Sequence, residues 1–120
     1  MRLLFVLFFI TLLFDARSQA NADSLYIVTY TIGSAWDPAK KPFEQSYFKS
    51  HSENLSALRN AGTIKAGARY ADKGIIIVMA PTFESAKELI NKDPAVANNL
   101  FNADVQRLSI FYEGCLEKPK

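Results

Sequence analysis

Short apolar stretches alternate along the chain with segments rich in glycine, proline and small polar residues. Leu25 to Ile32 (LYIVTYTI) is rich in β-branched and aromatic residues, so we predict it as the first strand. Between residues 42 and 60, apolar positions recur at spacings of three and four, which is typical of an amphipathic helix. We predict that this helix opens at Pro42 and ends near Gly62. The residues on its apolar face are Phe43, Tyr47, His51, Leu55 and Leu58.

The middle of the chain predicts a hairpin followed by a second helix. Thr63 to Tyr70 and Gly74 to Ala80 are predicted as strands joined by a short loop, with Gly74 supplying a permissive backbone conformation. Thr82 is a suitable N-cap for a helix from Phe83 to about Asn91.

Asp93-Pro94 then predicts a short helical turn, because Asp is a good N-cap and Pro fits the first helical position. Asp104 to Tyr112 (DVQRLSIFY) alternates and is predicted as the last strand. The order βαββαβ indicates the α+β class and the ferredoxin-like arrangement, a four-stranded antiparallel sheet with both helices on one face.

The other face of this sheet is also apolar in the sequence. Leu25 and Ile27 lie on the side of the first strand opposite Tyr26 and Val28, and the strand residues 75 to 79 are apolar on both sides. A sheet with one face in water alternates apolar and polar positions instead. We therefore predict a homodimer in which two sheets pack face to face.

The start of the chain is typical of an export signal. Leu3 to Phe14 is an almost uninterrupted apolar run, too short for a bilayer-spanning helix of about 20 residues, and small residues follow it. We predict cleavage after Ala20 or Ala22, export to the periplasm or outside the cell, and no stable membrane insertion afterwards; the alternative is an uncleaved anchor. The predicted division is a signal peptide at 1–20, a domain at 23–113 and a C-terminal tail at 114–120.

Composition narrows the classes of function. A chain of 120 residues fits one domain. The formal net charge of +2, without a basic tract, argues against nucleic acid as a partner. One His and one Cys exclude both a zinc site built from His and Cys alone and an internal disulfide. We predict no metal and no cofactor.

His51 and Asp93 are the candidate catalytic residues. His51 lies within the apolar face of the predicted helix, where it is either a core histidine with a hydrogen-bond partner or an acid/base group. Asp93 is either an N-cap, or a carboxylate that orients His51, or both. Such a pair suits proton transfer. The sequence alone leaves open whether the two residues meet.

Three further residues are candidates for substrate binding. Trp36 lies in the long connection 33–42, which is either the lip of a binding site or a packed segment. Arg69 is either an exposed strand residue or a bidentate donor for an anionic substrate. Tyr30 and Trp36 would supply aromatic walls. Cys115 is expected to be a free thiol, with a bridge between two subunits as the alternative.

Four segments together are similar to the YCII-related (YciI-like) family: IGSAWDPAKKPFEQSYFKSH, NAGTIKAGA, the Gly-led apolar strand after them, and FESAKELINKDPAV. The resemblance covers about residues 24 to 113, and its strongest items are His51, Gly62, Ala66-Gly67 and Asp93-Pro94. It implies a ferredoxin-like dimeric α/β barrel with His51 and Asp93 as the active-site pair.

Related dimeric α/β barrels include lactone isomerases, an aromatic dehydrochlorinase and small monooxygenases, so the fold does not select a reaction. We expect a small cofactor-free enzyme, isomerase- or lyase-like, that uses the His/Asp pair for acid/base chemistry on a small molecule. The alternatives are a non-catalytic dimeric domain that binds a small ligand, and a purely structural dimeric domain.

Overall fold

Four antiparallel strands form one sheet in the computed structural model, which describes residues 23–120. The predicted signal peptide at 1–20 lies outside the described residues. The elements are β1 (Ser24–Ile32), a 3-10 turn (Pro42–Glu44), α1 (Phe48–Asn60), β2 (Ile64–Tyr70), β3 (Lys73–Ala80), α2 (Phe83–Asn91), α3 (Pro94–Ala97) and β4 (Phe101–Leu108). Among the described residues, no helix is long and apolar enough to cross a membrane.

The strand order is β2-β3-β1-β4, so the apolar β1 is central and pairs with both β3 and β4. Neighbouring strands are antiparallel throughout. The α+β class, the four-stranded antiparallel sheet and its three helices are compatible with the ferredoxin-like prediction.

The core lies between the helices and one face of the sheet. Alternate residues of β1 are buried there, and Val28 is fully buried opposite Ile76 of β3. Ala86 and Ile90 of α2 belong to the same cluster, and Leu55 of α1 packs against it. The period of two along the strands and the three- and four-residue spacing along the helices bring these side chains to a single apolar layer.

The opposite face of the sheet is apolar and only partly covered within one chain. Its residues have intermediate exposure and lie on the two central strands: Leu25, Ile27, Ile75, Ile77 and Met79. An apolar sheet face of this kind is unusual for a surface in full contact with water.

The start of the first helix differs from the prediction. The α-helix begins at Phe48, and Pro42–Glu44 forms only a short 3-10 turn. Gln45 is extended and Tyr47 has a left-handed backbone with φ 67°, so the two helical segments are not continuous. Phe43 and Tyr47 are therefore 69% and 47% exposed, and the prediction that they share the buried face of His51 is wrong.

The side chain of Gln45 explains this break. It is buried, donates to the backbone oxygens of Asp37 (2.6 Å) and Lys40 (3.2 Å), and accepts from the backbone N–H of Asp37 (3.0 Å). These bonds satisfy three backbone groups of the 33–42 connection, namely the N–H and the oxygen of Asp37 and the oxygen of Lys40. The connection is thereby closed into a compact loop.

The last strand is shifted relative to the prediction of Asp104 to Tyr112. β4 begins at Phe101 and ends at Leu108, which pairs with Leu25 at the beginning of β1. Among residues 23–120, β1 starts at Ser24, so no described strand pairs with the residues beyond Leu108, and Tyr112 is 86% exposed.

The hairpin between β2 and β3 forms as expected, but the residue with the left-handed backbone conformation is not the predicted one. Tyr70 pairs with Lys73, and the positive φ of the turn, 48°, belongs to Ala71. Gly74 lies within β3 without a positive φ, so the prediction that it supplies the permissive conformation is wrong. The absence of its side chain matters instead for the cavity described below.

Other helix boundaries agree with the sequence. Thr82 caps α2 by accepting from the backbone N–H of Ser85 at 3.1 Å, and the helix covers the predicted residues 83–91. Gly62 follows α1 with φ 80°, the left-handed conformation that favours glycine. Asp93 is the N-cap of the short helix α3, which begins at the next residue, Pro94.

A histidine and aspartate pair beside an aromatic cavity

His51 and Asp93 form a buried hydrogen bond. Nδ1 of His51 lies 2.9 Å from Oδ2 of Asp93, although 42 residues separate them in the chain. His51 is in the first turn of α1, and Asp93 lies between α2 and α3. The residues are 8% and 1% exposed, so the bond is shielded from water.

Both oxygens of the Asp93 carboxylate are used. Oδ1 accepts from the backbone N–H of Ala95 at 2.9 Å, which is the N-cap bond of α3. Oδ2 accepts from His51 and also from Nδ2 of Asn54, again at 2.9 Å. The two roles considered for Asp93, capping a helix and contacting His51, are therefore combined in one side chain.

These contacts set the charge of Asp93. Burial raises the pKa of its carboxyl group, but the hydrogen bonds from His51, Asn54 and Ala95, together with the charge of His51, outweigh burial and lower the pKa below its ordinary value. The group is thus an ionised carboxylate at neutral pH, and an ionised carboxylate only accepts hydrogen bonds. Nδ1 of His51 must carry the hydrogen, so in the neutral ring Nε2 is an unprotonated base.

Tyr30 packs against the same histidine. Its ring meets the ring of His51 edge-on, with 5.3 Å between the centroids. Its hydroxyl is buried and has no hydrogen-bond partner among the described residues. Burial, and secondly the negative charge of Asp93, raise the pKa of Tyr30, so the hydroxyl stays protonated at neutral pH. Tyr30 thus contacts His51 through its ring and not through a hydrogen bond.

His51 also lines a cavity of about 540 Å³. Phe101 is central to its aromatic wall: its ring centroid lies 5.0 Å from that of His51, 5.8 Å from Trp36 and 6.4 Å from Phe48. A concave site with apolar and aromatic lining and a few polar groups is typical of small-molecule binding. The lining also includes Tyr30, Arg69, Lys73 and Gly74.

The structure brings four of the five predicted site residues to one cavity. His51, Trp36, Tyr30 and Arg69 line it. Asp93 is behind His51 rather than in the lining. The carboxylate thus acts on the cavity only through the imidazole ring.

Sequence reasoning missed Asn54, Phe48 and Phe101. A signal for Asn54 was present, because it follows His51 by three residues and so shares its helix face. Phe101 was missed because the last strand was predicted to begin three residues too late. Phe48 was missed because the helical periodicity was traced through residue 47, which is not helical.

Metal binding and disulfide formation are two further chemical possibilities for residues 23–120. No three His, Cys, Asp or Glu side chains come together there in a group that could hold a metal ion. Cys115 is exposed and makes no disulfide within residues 23–120.

Comparison with known proteins assigns no family to the chain: no protein-family model matches it, and no curated protein does. The contacts of His51 and the lining of the cavity are therefore the observations that bear on function.

Replacing Asp93 by Asn tests the electrostatic account of the pair. The carboxyl pKa of Asp93 is lower in the folded protein than the value of about 3.9 in an unfolded chain. Its stabilisation is therefore fully present above that value and is lost as the pH falls through the folded pKa. We expect the wild type to exceed Asp93→Asn by about 2 kcal/mol in free energy of unfolding at pH 7, with the gap closing below about pH 4.

Chemical denaturation of both proteins between pH 7 and pH 2.5 measures this gap. Asp104→Asn is the matched control, since Asp104 is exposed on β4 and, within residues 23–120, its carboxylate accepts from the side chain of the exposed Gln106 alone. If the difference in free energy of unfolding between the wild type and Asp93→Asn is as large at pH 2.5 as at pH 7, the ionised carboxylate is not its source.

Proposed function

We propose that this protein is a small enzyme in which His51 transfers a proton to and from a small molecule in the aromatic cavity, with Asp93 as its positioning residue. The observation that carries the proposal is a buried bond from Nδ1 to Asp93 in a histidine that also lines a cavity. A ring held in this way presents one nitrogen as a base at a fixed place.

The proposed reaction is a proton transfer without oxidation or reduction of the substrate. Nε2 of His51 removes a proton from a carbon next to a carbonyl group, and the electron pair of that C–H bond moves toward the carbonyl oxygen. The negative carboxylate of Asp93 stabilises the positive imidazolium that results. Return of the proton to a different carbon gives an isomerisation, and its transfer to a departing group gives an elimination. A positioned acid/base of this kind contributes about 10² to 10⁴ in rate.

We also propose membership of the YCII-related family and the dimeric α/β barrel that it implies. The strand order β2-β3-β1-β4 and the contact between His51 and Asp93 support this proposal. So does the partly exposed apolar sheet face around Ile27 and Ile77, which a second copy would cover. Export to the periplasm or the exterior remains a prediction from residues 1–20.

A non-catalytic ligand-binding domain is the second candidate. The observation that favours it is the aromatic wall of Trp36, Phe48 and Phe101, which would bind a ligand whether or not His51 acts on it. The two candidates differ in one respect: only the enzyme exchanges or moves a proton of the bound molecule.

Hydrogen exchange from carbon distinguishes the two. Proton NMR in D₂O follows the loss of C–H signals from a panel of β,γ-unsaturated lactones and aromatic ketones. We expect the wild type to exchange or isomerise members of the panel. His51→Gln should be slower by about 10² to 10⁴, because the base is gone.

Glu53→Gln is the matched control, since Glu53 is exposed two residues after His51 in α1 and its ion pair within residues 23–120 is with Lys49. Circular dichroism checks that His51→Gln keeps the fold. Compounds that bind the wild type but return without deuterium or rearrangement would contradict the enzyme and favour the binding domain.

The dimer is tested by charging the apolar sheet face. Sedimentation velocity at micromolar concentration should give a dimer for the wild type and a monomer for Ile77→Lys, because a buried charge without a partner opposes association. Lys49→Glu, on the exposed face of α1, should remain dimeric. A wild type that is folded and monomeric under these conditions contradicts the proposed barrel.

A further inference from the structure

We infer that the cavity beside His51 takes a planar aromatic molecule with a single negative charge, an aromatic monocarboxylate, whose ring lies against the aromatic wall and whose carboxylate binds Arg69. This inference rests on the proposed function, because it concerns the same cavity. It adds the chemical class of the substrate.

The wall favours a flat ring. Three aromatic rings of the cavity lining lie close together. The ring centroid of Phe101 is 5.8 Å from that of Trp36 and 6.4 Å from that of Phe48. Aromatic rings pair best with other rings in stacked or edge-on arrangements. A saturated molecule of the same size would bury similar area but would lack these contacts.

The strand register places Arg69 at the cavity with room to move. Arg69 of β2 pairs with Gly74 of β3, and both line the cavity. Gly74 has no side chain to meet the guanidinium group, and even an added Cβ there would stay 3.9 Å from Tyr30. Of these two paired residues, Arg69 alone has a side chain that can extend over the cavity.

The charges at this end of the cavity sum to one positive charge. Lys73 is paired with Asp72 at 3.3 Å. Arg69 has no salt bridge within residues 23–120. An unpaired guanidinium binds a planar carboxylate through two parallel hydrogen bonds. One free cation beside a neutral aromatic wall therefore selects a molecule with one anionic group.

Calorimetric titration with three probes tests the inference: 2-naphthoate, its uncharged amide 2-naphthamide, and the saturated decahydro-2-naphthoate. We expect the wild type to bind 2-naphthoate at least about tenfold more tightly than either of the others. Trp36 is the only tryptophan, so a shift of its indole N–H signal in NMR places the probe in this cavity.

Arg69→Gln should abolish the preference for naphthoate over naphthamide. Arg107→Gln is the matched control, because Arg107 is an exposed strand residue outside the cavity lining and its replacement removes the same charge. Equal binding of acid and amide by the wild type overturns the inference. So does equal binding of the flat and saturated acids, a preference that survives in Arg69→Gln, or no naphthoate binding at millimolar concentration.

The experiment separates this inference from the proposed function. His51→Gln should keep the Arg69-dependent binding of naphthoate, since the ring and the carboxylate are held by other residues. Arg69-dependent binding without any proton exchange by the wild type would remove the enzymatic proposal and leave the ligand class. Proton exchange by the wild type, together with naphthoate binding that Arg69→Gln leaves unchanged, would remove the ligand class and leave the enzyme.

Discussion

The buried carboxylate of Asp93 is the constraint on which the site depends. A negative charge that is 99% removed from water is tolerated only when hydrogen-bond donors surround it, and here His51, Asn54 and the backbone of Ala95 supply them. Two of these donors belong to α1 and the third belongs to α3. The same charge therefore starts one helix, ties it to another and orients the histidine.

The orientation of His51 links this constraint to the cavity. With Nδ1 held by Asp93, and with Tyr30 and Phe101 packed against the ring, the imidazole has little freedom to rotate. Phe101 in turn is held by β4, which pairs with the end of β1 at Ile32. The polar and aromatic parts of the site are thus positioned by the same sheet and helix contacts that build the core.

Sequence patterns predicted most of the fold and the identity of the pair. The alternation in β1, the capping residue Thr82 and the Asp93-Pro94 dipeptide each act locally, so their consequences are readable from neighbouring residues. The contact between His51 and Asp93 depends on how α1 packs beside α3, and spacing along the chain carries no information about that. The early part of the first helix was mispredicted because the amide of Gln45 bonds to a loop several residues away, an interaction that periodicity does not reveal.

The tautomer of His51 is the most direct test of this account. His51 is the only histidine in the chain, so its two ring nitrogens are unambiguous in ¹⁵N-detected NMR. At a pH where the ring is neutral, the account predicts a hydrogen on Nδ1 and none on Nε2. It also predicts that Asp93→Asn removes this preference. A wild-type ring with its hydrogen on Nε2 and a bare Nδ1 would contradict it, because an ionised Asp93 cannot donate to that nitrogen.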